Sequence, residues 1–275
     1  MRHTLLFALL EMKETFRAKW YQLYILTVAL MISIFFYFGL AESRALGFTG
    51  LGRLLLTLIQ MSIIVLPIFT MMTTVRTLVG DREAGVWEYN LSVPLKLSSF
   101  YLGKAIGKFS TLFLPLALGM FLAGIITMIK GYPVPWLMIF LYTGFIGANL
   151  LFFTGIAFLL SVLSKTQEMA LGLGFILWLV FEAMIDALLL GLLLKQRVLA
   201  EVILGIAFLN PLQSFRMAAI GLFDPELTVL GPIAYTIIEK IGLNSLLTWA
   251  ILWPTISGIA LASLGYFAFK KKDLI

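Results

Sequence analysis

GDREAGVWEYNLSVPLKLSSFYLGK, residues 80–104, gathers Asp81, Arg82, Glu83, Glu88, Lys96 and Lys104 into one segment of a chain in which only 12% of residues are charged. On either side lie Leu54–Val75 and Phe109–Ile129, almost free of charge and long enough for the roughly 20 apolar residues that a helix needs to cross a bilayer. Working outward, four more such stretches follow: Gln22–Leu40, Trp136–Leu163, Met169–Leu194 and Leu246–Phe269. None alternates polar and apolar residues as a barrel strand does, so their backbone hydrogen bonds must close inside helices. With 61% hydrophobic residues, against about 45–50% in a soluble domain, the chain reads as an all-α membrane protein. Six transmembrane helices form a single unit over residues 1–275, and the segment 76–108 is the loop joining spans two and three.

Lysine and arginine fall unevenly around these spans. The N-terminus, the loop after span two, Lys165 and the tail Lys270–Lys272 carry 13, and the opposite side carries 7. The positive-inside rule then places both termini and the quoted loop in the cytoplasm of a multi-pass cell (inner) membrane protein. The net charge of +6 is thereby explained by topology and implies no nucleic-acid partner.

Two further segments have their own patterns. Leu5, Leu9, Met12 and Phe16 recur at helical spacing beside Arg2, Lys13 and Arg17, which predicts a helix over residues 1–20 lying in the membrane interface. The apolar core TLLFALL is too short for a signal peptide, and no small-residue cleavage site follows it. Residues 195–245 are neither a short loop nor a soluble domain. Val198–Leu209 is too short to cross, Asn210 and Pro211 form an N-cap and first helical position, and Gly242 stops the segment. Short helices folded against the outer face are expected between spans five and six, either closing the bundle or receiving a partner.

Catalytic chemistry is scarce. One histidine, His3, and no cysteine remove zinc-protease motifs, serine triads and thiolate sites; no catalytic or metal-ligating residue is expected. Gly103-Lys-Ala-Ile-Gly107-Lys108-Phe109 falls one residue short of a phosphate-binding loop and lacks its hydroxyl. The twelve methionines are scattered as packing residues, not as a copper site. Gly144, Gly147 and Gly155 in span four, and Gly172 and Gly174 in span five, are expected to admit close helix approach.

The polar exception within the hydrocarbon is Glu182 with Asp186 in span five. Four residues apart, they share a helix face near mid-span, where an acid costs about 2.5–3.5 kcal/mol. A polar clamp to a neighbouring helix, a proton or cation step, and a conformational sensor all remain open.

In the quoted segment, Gly80 is expected to end span two, Asp81 to cap a short helix carrying Val86, Trp87 and Tyr89, and Ser92-Val93-Pro94 to end that helix. Ser98 then caps the helix leading into span three. This mixture of aromatics and both charge signs suits docking to a soluble protein. The segment resembles the cytoplasmic loop of ABC-2 type permeases, in which an acidic ExExG region leads through LSxP to LxGK. The matching positions are Glu83, Gly85, Leu91, Ser92, Pro94, Leu102, Gly103 and Lys104, with Asp81 in place of the first glutamate. The interfacial helix, six spans and helical outer segment are similar to that family over essentially the whole chain. Gly47–Gly50, the span-five acid Asp186 and the outer segment Leu209–Met217 resemble the NosY-type branch, which supports copper-site maturation of nitrous oxide reductase. Glu182 has no counterpart in that pattern.

The resemblance implies a homodimeric permease with two ABC ATPase subunits on its cytoplasmic face and an accessory protein outside. It implies no cofactor on this chain, and ATP and magnesium on the partner ATPase. The ATPase-coupling residues are then Asp81, Arg82, Glu83, Gly85, Glu88, Ser92, Pro94, Lys96, Gly103 and Lys104, and the outer partner segment includes Leu209, Asn210, Pro211 and Arg216. An ABC-2 exporter of lipid, drug or peptide is the alternative within the family. A proton-coupled secondary transporter using Glu182 and Asp186 is the alternative outside it, though no inverted repeat supports it. Cysteines introduced at Ser92 or Ser98 are expected to react with an impermeant thiol reagent only from the cytoplasmic side, and one at Thr228 only from outside. Labelling of position 228 from the same side as position 92 or 98 would refute the six-span reading.

Overall fold

A computed structural model describes residues 2–45, 48–87, 96–131, 134–194, 200–224, 227, 237 and 239–271. Among them every regular element is a helix: α1 Arg2–Arg17, α2 Lys19–Ala45, α3 Phe48–Thr74, α4 Arg76–Glu83, α5 Leu97–Ile129, α6 Trp136–Leu163, α7 Gln167–Leu179, α8 Ile185–Leu194, α9 Ala200–Leu209, α10 Pro211–Phe223 and α11 Leu243–Lys271. Five helical runs among the described residues are long and apolar enough to cross a membrane: Ile59–Glu83, Leu97–Ile129, Trp136–Leu163, Gln167–Leu192 and Leu243–Lys271. The 27-residue α2 covers the uncharged stretch expected as span one. The all-α membrane fold read from the sequence is present.

Span four, in α6, is the axis of the bundle, with 83% of its most apolar window buried, against 6% for span five. Its main partner is span six, in α11. The two backbones approach so closely that a Cβ on Gly155 would sit 2.2 Å from the Gly258 carbonyl oxygen, and one on Gly258 would sit 2.7 Å from the Phe152 Cα. Apolar side chains gain little by leaving lipid for protein, so such backbone proximity supplies the dispersion contacts that hold membrane helices together. Gly147 also fits its expected role, with the Phe113 ring 2.8 Å from where its Cβ would be, and Gly174 lies against Val75. Gly172 faces open space and Gly144 meets only a distant Ile251, so these two are not close-approach positions in the monomer.

α1 packs along the start of α5, and Phe7 meets Phe100 edge-to-face at 5.2 Å. Phe269, near the end of α11, stacks on that Phe100 and meets Trp87 at 4.8 Å. Both described ends of the chain therefore lie at one end of the bundle, called proximal below. At the distal end α9 and α10 form a hairpin bent by 105°. Asn210 makes the bend as its sequence context predicts: its side chain accepts the Leu212 N–H and Pro211 occupies the first helical position. Trp249 and Trp253, stacked 5.5 Å apart, donate their indole N–H groups to the carbonyls of Phe208 and Leu209, which the bend leaves without helical partners.

Gly258→Val forces a branched side chain into span four, an overpacking change of about 1–3 kcal/mol. A lowered thermal midpoint in detergent is expected, whereas Gly172→Val is expected to leave that midpoint unchanged.

Candidate functional site

The proximal joint corrects the expected helix boundaries. Span two does not end at Gly80. After a turn at Val75 the chain continues as α4 to Glu83, so Gly80 and Asp81 lie within helix and Asp81 caps nothing. The helix ends at Ala84 and Gly85, and Gly85 takes a φ of +69°, which an L side chain seldom tolerates. Ser98 is likewise no cap. Lys96 holds that position in extended backbone without a side-chain bond, and its carbonyl receives the Ser99 and Phe100 N–H groups. The expected loop 76–108 is therefore helical at both ends. Polar residues did not break these helices because most of them find partners on neighbouring elements.

The failed phosphate loop supplies most of those partners. Gly103 and Gly107 lie one turn apart on α5, where a Cβ would stand 2.5 Å from Phe7 Cβ and 2.7 Å from the Ala8 carbonyl oxygen, respectively. α1 can thus rest directly on α5. Lys104 and Lys108, one turn apart beside them, both reach Glu11, at 2.8 and 2.9 Å. Lys104 also meets Asp81 at 2.7 Å, and Lys108 donates to Thr15. Glu11 is 4% exposed. Burial pushes its carboxyl upward, but Lys108 and Lys104 more than offset this and hold it below the ordinary glutamate range. Gly103, Lys104 and Asp81 hold the N-terminal helix against α4 and span three. The repeat of Gly-Lys at a four-residue interval was the available signal for this role.

Arg82 and Glu83 face the turn between spans four and five. Arg82 donates to the carbonyls of Ser164 and Lys165 at 2.8 and 2.6 Å, at the C-terminus of α6. Glu83 accepts the Gln167 N–H at 3.2 Å, at the N-terminus of α7, whose cap is Thr166. A cation at a helix C-terminus and an anion at a helix N-terminus both complement the helix dipoles. Arg82 also lies over the Trp87 ring at 5.7 Å. Glu88, Ser92 and Pro94 lie outside the described residues, and Lys96 is exposed beside that segment.

The distal joint corrects span five. It is interrupted by a π-helical turn at Val180–Met184 that contains Glu182, so the uniform 3.6-residue register assumed between Glu182 and Asp186 does not hold. Asn210 donates its side-chain amide to the Phe181 carbonyl at 2.8 Å, tying the bend of the hairpin to this turn. About one and two turns further along α10, Gln213 donates to Asp186 and Arg216 meets the same carboxylate at 2.9 Å. Glu182 is held more loosely: one oxygen accepts from Gln60 of span two at 3.5 Å, and the other, though buried, has no hydrogen-bond partner among the described residues. Two groups that the sequence left separate, the span-five acids and the outer segment, are thus one cluster. Arg216 is turned toward Asp186, whereas Leu209 is exposed beside the bend. Arg216 is the lone base of an apolar segment and Asp186 an acid within a span, and their opposite charges were the overlooked signal.

Among the described residues no three His, Cys, Asp or Glu side chains converge on a possible metal position. The buried charges join helix to helix at the two ends of a multi-pass bundle. Residues 6–274 match the family model "ABC-2 family transporter protein", and the chain belongs to that family. It is 24% identical over 271 residues to "Probable ABC transporter permease protein NosY" of Stutzerimonas stutzeri, covering 95% of this chain and 96% of that relative. The protein is therefore a permease subunit that works in the membrane with an ATPase partner.

The proximal joint is expected to be pH-sensitive. Because the folded carboxyl of Glu11 titrates below the ordinary value of about 4.3, its stabilisation is complete above that pH and fades as pH falls through the folded value. The thermal midpoint of Glu11→Gln is expected well below wild type at pH 7, with the gap narrowing below about pH 4. A gap independent of pH would refute the ionic account. At the distal joint, Asp186→Asn removes the counter-charge of Arg216 and is expected to cost about 1–3 kcal/mol, less than for a fully buried pair because Asp186 keeps about a third of its exposure. Glu182→Gln is expected to be milder. The double variant Asp186→Leu with Arg216→Leu is expected to regain stability over either single change, measured by thermal midpoint; additive losses would refute the pairing.

Proposed function

We propose that this permease forms a homodimer powered by two ATPase subunits and supports copper-site maturation of nitrous oxide reductase, with an accessory protein on the outer face. The observation that carries this reading is the end-to-end alignment with the NosY permease, which is 24% identical and covers 95% of this chain and 96% of that relative. The distal joint agrees with it: Asp186 and Leu209–Asn210–Pro211, two of the three features taken from the NosY resemblance, meet through Arg216 and through the Asn210 bond to Phe181.

In this reading the proximal end is cytoplasmic, as the distribution of lysine and arginine favours. The ATPase docks on the surface that includes Glu83, Gly85, Glu88, Ser92, Pro94 and Lys96. Nucleotide-driven movement there passes through Arg82 and Glu83 to the ends of spans four and five, while Asp81 and Lys104 keep α1 moving with α4. Span five then carries the displacement to the π-helical turn and the hairpin. Glu182 and Asp186 serve as the joint between span five and the hairpin, not as a proton path.

Deletion of the gene in its host, followed by metal analysis of purified nitrous oxide reductase, tests the assignment. A reductase lacking copper, restored by the wild-type gene, is expected. A fully loaded reductase would favour the exporter of lipid, drug or peptide. The isolated permease is expected to hydrolyse no ATP. In the complex, Glu83→Lys is expected to reduce permease-stimulated ATP turnover several-fold without dissociating the homodimer, and unchanged turnover would remove Glu83 from the coupling surface.

A further inference from the structure

A cavity of about 350 Å³ opens at the proximal end between α1 and spans one, two and three. Its size lies within the roughly 300–1,000 Å³ of small-molecule sites. Trp20, Phe69 and Met72 supply apolar wall, and Arg76 and Lys108 supply two cations; no carboxylate among the described residues lines it. The ion cluster beside it is self-neutralising, two lysines facing Glu11 and Asp81. Lys108 nevertheless spends only two of its three N–H donors, on Glu11 and Thr15. Arg76 is exposed and makes no hydrogen bond or ion pair among the described residues, which leaves an uncompensated positive charge at the cavity mouth. Trp20 is 55% exposed at the point where α1 gives way to span one, the level at which tryptophan meets lipid headgroups. A groove of similar size, about 340 Å³, between spans three, four and six has no charged lining residue.

We infer that the cavity is a binding site for one anionic phospholipid of the surrounding bilayer. Arg76 and the free donor of Lys108 take the phosphate, Trp20 covers the glycerol region, and the acyl chains run along Phe69 and Met72. Basic pockets between helices at a membrane surface select such headgroups by charge. The uncharged groove is the internal contrast, fit for acyl chains without headgroup selection. The inference is independent of the transported substrate and of the ATPase.

Native mass spectrometry of the purified full-length chain, offered phosphatidylglycerol and phosphatidylcholine in equal amounts, tests it. One phosphatidylglycerol is expected to be retained per chain in preference to phosphatidylcholine. Arg76→Gln is expected to weaken that preference about fivefold, the share of one basic side chain at an anionic surface. Arg76→Lys is expected to keep most of it, and Lys130→Gln, at the other end of the bundle, all of it. Equal retention of the two lipids, or an undiminished preference in Arg76→Gln, would overturn the site. So would displacement of the lipid by millimolar inorganic phosphate, which would assign the cations to a soluble anion. Loss of lipid on dimer formation would assign the cavity to a second copy of the chain and equally overturn it.

Discussion

A glutamate at 4% exposure must keep its charge among partners or lose it, and Glu11 keeps it between two lysines that stand one turn apart. Taking either lysine away would leave a buried charge uncompensated, the expensive way to break such a network. This contact fixes α1 against span three, where Gly103 and Gly107 have cleared the surface. Lys104 then shares its charge with Asp81 and fixes α4, and from α4 Arg82 and Glu83 fix the turn between spans four and five. One end of the bundle is thus organised outward from a single carboxylate.

The far end uses a different device. Span five takes an extra residue in a π-helical turn, and the hairpin uses the result: Asn210 bonds the Phe181 carbonyl while Arg216 and Gln213 occupy Asp186. Between these joints stands span four, locked to span six by backbone contact at Gly155 and Gly258. Span five, little buried along its length, is the element that links the Glu83 contact to the Asp186 contact. The most buried helix and the helix that joins the two ends of the bundle are therefore distinct.

The apolar runs made most of this fold legible, because a bilayer leaves helices as the natural way to satisfy their backbones. Asn210 with Pro211 announced the bend in the same local way. What escaped were features set by contact between distant segments. The helical phase of Gly103, Lys104, Gly107 and Lys108 reads equally as a broken phosphate motif until α1 is laid across it. A π-helical turn leaves no composition mark, so the phase between Glu182 and Asp186 was read as regular. In the charged run at residues 80–104 the sequence suggests a helix end at Gly80 and a fresh cap at Asp81, yet Asp81 lies inside a helix because Lys104 faces both it and Glu11. Glu88, Ser92 and Pro94 keep the role that resemblance alone gives them.

The pairing of Asp186 with Arg216 also sets an order of biogenesis. A lone arginine entering the membrane region costs several kcal/mol unless it finds an acceptor. Synthesis runs from the N-terminus, so span five, bearing Asp186, emerges 30 residues before Arg216 and can be laid into the bilayer first. The hairpin does not have to insert on its own hydrophobicity; it can fold back onto an acid already in place. Reversing the two residues would preserve the ion pair in the finished protein but would send an unpaired arginine in with span five. The native arrangement thus places the carboxylate first along the path of synthesis.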